Sequence, residues 1–378
     1  MTAQTVLVLG GGIIGLSCAF RAAAEGMQVT VAEPAACGGQ ASGAAAGMLA
    51  AFSENTDQPD AFFQLCLASL NCYPDWIAEV EEASGERAEW VRSGSLTLLN
   101  GETDLLHALS RISWQNDWGA SAELVEGEAL RKLEPALADS IPAAVYIPGE
   151  SHVYAPKLVR ALEKACRRLG VRIADHAGAP VGLTRLPGGG IEARCERLPE
   201  PLVADKAVIC AGAWTGLYER WLGIPFPVQP VRGQICSFEV PFGQVRHIVF
   251  SNQAYWVGKQ NNRLVCGASE DAAGFDTSVT ERGINRLIRS GERTLPFLSG
   301  KETASRWAGL RPVAPDGLPL IGPVSGTGDI VMAAGHYRNG ILLSPATARI
   351  VADLLREKPP GPISAFAPDR FAVAAKND

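Results

Sequence analysis

The chain has 378 residues, a formal charge of −6 and 47% hydrophobic side chains, enough for a large core and about two domains. The net negative charge and the lack of any Lys/Arg run exclude a nucleic-acid footprint. Forty glycines point to backbone that approaches a ligand closely, while nine cysteines with no C-x-x-C pair and no zinc spacing read as reduced core thiols of a cytoplasmic protein without a metal site.

Val6–Leu9 predicts a short strand, apolar on both faces as buried parallel strands are. No basic segment precedes it and three glycines end the apolar run, so it reads as strand and turn rather than as a signal peptide. Ile13–Glu25 predicts a helix stopped by Gly26, and Val29–Ala32 a second strand ending at Glu33, which together make a βαβ unit. Gly10, Gly12 and Gly15 satisfy G-x-G-x-x-G, giving in turn the tight bend, the approach to a pyrophosphate and the packing of helix on strand. The free N–H groups of the helix then face the phosphates. Glu33 stands where a carboxylate accepts ribose hydroxyls and repels a 2′-phosphate. NADP is thereby disfavoured, and NAD and FAD stay open.

Residues 37–51, CGGQASGAAAGMLAA, form a loop small enough for a large flat ligand to cross its backbone. Residues 60–140 are helix-rich, and WIAEVEEASGERAEW within them reads as a solvated helix face. KLVRALEKACRRLG (157–170) predicts an amphipathic helix, followed by VRIADH as a strand. AVICAGAW (207–214) predicts a buried strand ending in the turn at Gly212, and the alternation over 228–270 predicts antiparallel strands. TERGINRLIRS predicts another helix, and the final stretch reads as strand, glycine turn and a helix from Ile341. That second helix N-terminus suits the negative charge of a reduced flavin, whereas NAD has no use for it, so FAD is expected. No window approaches 18 uninterrupted apolar residues, so no membrane span or stable membrane anchor is expected. The fold class is α/β: a Rossmann-like FAD-binding domain (1–85, 148–218 and 302–378) with an inserted antiparallel-sheet substrate domain (86–147 and 219–301).

VLGGGIIGLSCAFRAAAEG, SGAAAGML, RWAGLRPVAPDGLPLIGP and AAGHYRNGILLSPATA together resemble the D-amino-acid oxidase superfamily of flavoproteins, in the same order over most of the chain. Within it the likeness is strongest to the bacterial glycine oxidases of thiamine biosynthesis. The resemblance implies that Ile13, Ile14, Glu33 and Pro34 touch the ADP half of FAD, and that Ala41, Ser42, Ala46, Gly47 and Met48 line the pyrophosphate and ring. It places Val181 at the adenine through its backbone, and His336, Tyr337, Arg338, Asn339, Gly340, Ile341 and Leu342 around the pyrimidine end. Residues 312–325 contain no cysteine, so the FAD is expected to be non-covalent. Arg311 and Tyr255 match the family's anchors for the substrate carboxylate, and Arg338 matches a second arginine near substrate and flavin.

The implied reaction is oxidative deamination of glycine, sarcosine, other N-alkyl glycines or small D-amino acids. A hydride passes from Cα to flavin N5, and molecular oxygen is reduced to hydrogen peroxide. A homo-oligomer, tetrameric by family analogy, is implied as well. Two positions depart from the family pattern. The methyl of Ala50 is expected to narrow the substrate end; Glu270 is expected in solvent, with attraction of a substrate ammonium as the alternative. Rival readings are a dehydrogenase that passes electrons to a membrane quinone and a non-catalytic flavin-binding module.

Overall fold

The computed structural model describes residues 3–55, 57 and 59–372 and is built on two large sheets. The first has six strands in the order 320–323, 330–334, 206–209, 5–9, 28–32 and 172–174, all parallel to their neighbours except the outermost pair 320–323 and 330–334. Thr5–Leu9 lies inside this sheet because both its faces are apolar. Val6 and Val8 pack under the helices Ile13–Ala24, Ala155–Arg168 and Gly340–Leu355, and Leu7 and Leu9 pack against the small antiparallel sheet of 180–185, 191–195 and 202–204. The turn after this strand admits no side chain. Gly10 has φ +118°, and a Cβ there would lie 2.3 Å from the Cys210 carbonyl oxygen, while one on Gly15 would lie 1.8 Å from that of Gly10.

The second sheet has eight strands in the order 305–313, 229–239, 263–267, 255–259, 248–250, 95–99, 143–147 and 123–126, with 95–99 and 248–250 its one parallel pair. One face, with Cys236, Phe238, Trp256 and Leu264, buries itself against Ile284 and Leu287 of the helix Glu281–Thr294. The other face, with Tyr255 and Arg311, turns towards the six-stranded half.

Three expectations change here. Residues 305–313, expected in the nucleotide half from 302 onwards, instead pair along their whole length with 229–239 and form the edge of the large sheet. WIAEVEEASGERAEW is only half solvated: Glu79 and Glu82 face water, but Trp76, Ile77 and Val80 of the helix Ala61–Ser84 lie in the core. The stretch 60–140 also contains the strands 95–99 and 123–126 between its helices. All nine cysteines are free thiols, seven of them buried.

Candidate active site

Two cavities of about 310 and 150 Å³ run end to end and share Gly12, Ala41, Ser42, Cys210 and Gly212. Together they fall in the size range of small-molecule and cofactor sites. The larger passes Gly10, Glu33 and Pro34; the smaller opens between the two sheets at Tyr255, Arg311 and Arg338.

The shared neck is the N-terminus of Ile13–Ala24, whose first N–H groups have no partner within the helix. Ser42 Oγ accepts the Ile13 N–H at 2.9 Å, which leaves its own proton for an anion. At one end the Glu33 carboxylate accepts N–H bonds from Gly11 (2.7 Å) and Ala35 (3.1 Å), fixing it beside the cavity it lines. At the other end Gly340 and Ile341 begin the last helix.

That helix contains Pro345, which cannot donate to the Ile341 carbonyl. The hydroxyls of Tyr73 (2.5 Å) and Ser344 (2.9 Å) donate there instead, while Ser69 bridges the next position by donating to the Leu342 carbonyl (2.6 Å) and accepting from Ala346 N–H (3.3 Å). His336 is buried and shares a 3.0 Å hydrogen bond with Thr347. Burial pushes its pKa down to about 3, so the ring is neutral.

Most of the expected cofactor residues line this trough. Gly12, Ile13, Ile14, Ala41 and Ser42 do so at the neck, Ala46, Gly47 and Met48 along one wall, and His336, Tyr337, Arg338, Gly340 and Ile341 at the far end. Gly15 instead packs on Gly10, and Leu342 is buried against Ser69. Asn339 lines neither cavity. Nor does Val181, whose side chain is exposed while Gly178, Ala179 and Pro180 line the wall beside it. Ala50 is buried outside both cavities, so its methyl does not narrow the substrate end.

At the substrate end Arg311 donates to the Ser269 carbonyl at 2.9 Å and has no carboxylate in ion-pair range among the described residues. Its guanidinium lies on Gly233, where a Cβ would stand 2.6 Å from it. Tyr255 is buried with its hydroxyl over Gly267, and burial pushes its pKa up to about 12, so it stays a donor at neutral pH.

Arg338, matched to a second arginine near substrate and flavin, is already paired. It meets Glu270 at 2.7 Å and Glu54 at 3.3 Å, and Glu54 above all raises its pKa further. Glu270 is half exposed, as expected, yet it is also held by Arg338 and by the Tyr337 hydroxyl at 3.0 Å. Sequence reasoning missed Glu54 and the network behind Ser269, in which Asp271 accepts from Arg232, Gln234 and Ser269. Glu54 shares its polar loop with Asp57 and Asp60, so the sequence alone does not single it out.

Residues 5–354 match the sequence model of the DAO family, described as FAD dependent oxidoreductases. The chain belongs to this family. It is 32% identical to a glycine oxidase of Bacillus licheniformis over 353 residues, 93% of each protein. It is 32% identical over 378 residues to a bifunctional protein ThiO/ThiG of Synechocystis, a match that spans 98% of this chain and 54% of that longer protein. The crystal structure of glycine oxidase from Geobacillus kaustophilus superposes with a TM-score of 0.92 at 30% identity, covering 97% of this chain and 99% of that one. This DAO-family chain is an FAD-dependent amine oxidase, and the trough described above fits an extended dinucleotide.

Proposed function

We propose that this chain oxidises glycine and other small amino acids with one carboxylate (sarcosine, N-alkyl glycines and small D-amino acids) to the 2-oxo acid, ammonia or amine, and hydrogen peroxide. The observation that carries this reading is Arg311: a guanidinium without a carboxylate partner among the described residues, at the end of the trough that Tyr255 also lines. A planar fork and a phenol donor together fix a carboxylate in orientation as well as in place. Orientation is the main aid a hydride transfer needs from its protein. FAD, when bound, supplies the two-electron acceptor.

No unpaired carboxylate faces this cavity among the described residues, and His336 turns its Nε2 to Thr347. The substrate ammonium therefore loses its proton to solvent, and kcat/KM rises with pH until the amine is neutral. The likeness to a ThiO/ThiG protein supports a role in thiamine thiazole synthesis. The test is anaerobic mixing of the FAD-loaded protein with glycine, watched by absorbance. Bleaching supports the reading; bleaching by sarcosine or D-alanine alone moves the substrate; a flavin that stays oxidised with all three refutes it. Oxygen uptake without added quinone separates an oxidase from a dehydrogenase.

A further inference from the structure

The sheet face that carries Tyr255 and Arg311 continues past the substrate end. Alternation along the strands puts Lys259, Arg263, Ser237 and Ser305 on this same face. At ~3.3 Å per residue, Lys259 Cα lies about 13 Å from that of Tyr255. Between the two regions the 43–48 loop crosses the sheet over Ile235, Val257 and Val265, held by Trp307 Nε1–H donating to the Ala44 carbonyl at 3.0 Å. Beyond the loop lies a separate cavity of about 290 Å³. One water needs only ~10–15 Å³.

The polar lining of this cavity has one sign. Lys259 and Arg263 are direct cross-strand partners, and no Asp or Glu lines the cavity among the described residues. Arg263 Nη1 is buried without a hydrogen-bond partner. Lys259 Nζ donates to the Val153 carbonyl (2.9 Å) and meets His152 Nδ1 (3.2 Å), which leaves a third N–H when it is protonated. The hydroxyls of Ser237, Ser305 and Tyr154 have no protein partner among the described residues. Like charges directly opposite weaken a sheet, and a buried unpaired N–H carries a desolvation penalty. A bound anion removes both costs.

We propose that this cavity is a second ligand site, distinct from the active site, for a small oxyanion held by Arg263, Lys259 and the neighbouring hydroxyls. Carboxylate and phosphate share the required chemistry. The test titrates inorganic phosphate, and separately acetate, into FAD-loaded protein at constant ionic strength, following heat of binding and Tm. Saturable binding of either ion is expected, and the ion that binds names the class. Arg263→Gln is expected to weaken it at least about tenfold. Ser305→Ala, which leaves both cations in place, is expected to weaken it less and decides the matter if Arg263→Gln does not fold. Arg311→Met is expected to leave it intact. Absence of saturable binding, binding unchanged in both Arg263→Gln and Ser305→Ala, or binding lost in Arg311→Met overturns the proposal.

Discussion

Arg311 and Arg338 carry the same group and meet opposite surroundings. Arg311 rests on Gly233 and a backbone carbonyl, its charge left for a ligand, while the charge of Arg338 is answered by Glu54 and Glu270. Arg311→Lys keeps the charge but loses the fork, and is expected to lower glycine kcat/KM about 100-fold with the flavin spectrum unchanged. The pairing of Arg338 also sets a preference, since it leaves Arg311 as the cation free at the substrate end among the described residues, which suits one carboxylate. D-Alanine is therefore expected to outrun D-aspartate. The double change Glu54→Gln and Glu270→Gln, which frees Arg338, is expected to raise the D-aspartate to D-alanine ratio of kcat/KM at least about tenfold; an unchanged ratio refutes the pairing argument. Arg311 and Tyr255 were legible in the sequence because their flanking residues match a family pattern. Glu54 was not, because its role arises only when the fold brings it to a partner 284 positions away.

Elements hold these side chains by means that local sequence only half discloses. The segment after 267 presents Ser269 to Arg311 and Glu270 to Arg338, and it is tied down through Asp271. Asp271→Asn is expected to cost about 1–3 kcal/mol in urea unfolding and to raise the substrate KM. A stability loss with unchanged KM would separate that network from the site. Similarly, Pro345 removes a donor inside the helix expected from Ile341, and the helix runs through it because Tyr73, Ser344 and Ser69 serve the displaced backbone groups. Tyr73→Phe is expected to lower stability by about 1 kcal/mol, the loss of one buried hydrogen bond, since Ser344 still donates to the Ile341 carbonyl. The strand 305–313 shows a different limit: no local pattern in SRWAGLRPV says which of two sheets receives it.

The whole molecule joins a nucleotide half, read from its glycine turns, to a sheet whose strand order no local pattern specifies. Their junction buries Lys259 beside His152, with Glu89 the nearby counter-charge. Burial pushes the Lys259 pKa down to about 7 from an unfolded value near 10.5, so the unfolded chain binds the extra proton between those limits. Stability is thus expected to rise from pH 7 towards 10.5 through this group, and Lys259→Met to remove that part of the slope in pH-dependent denaturation. The six-stranded sheet has a consequence for synthesis. Its strand 206–209 is paired on one side by 5–9 and on the other by 330–334, and the first helix is covered by the last. A nascent chain therefore keeps an open sheet edge and a bare helix face until the ribosome has released residue 355 or so. Stalled or clipped products are clients for chaperones and proteases rather than enzymes of reduced activity.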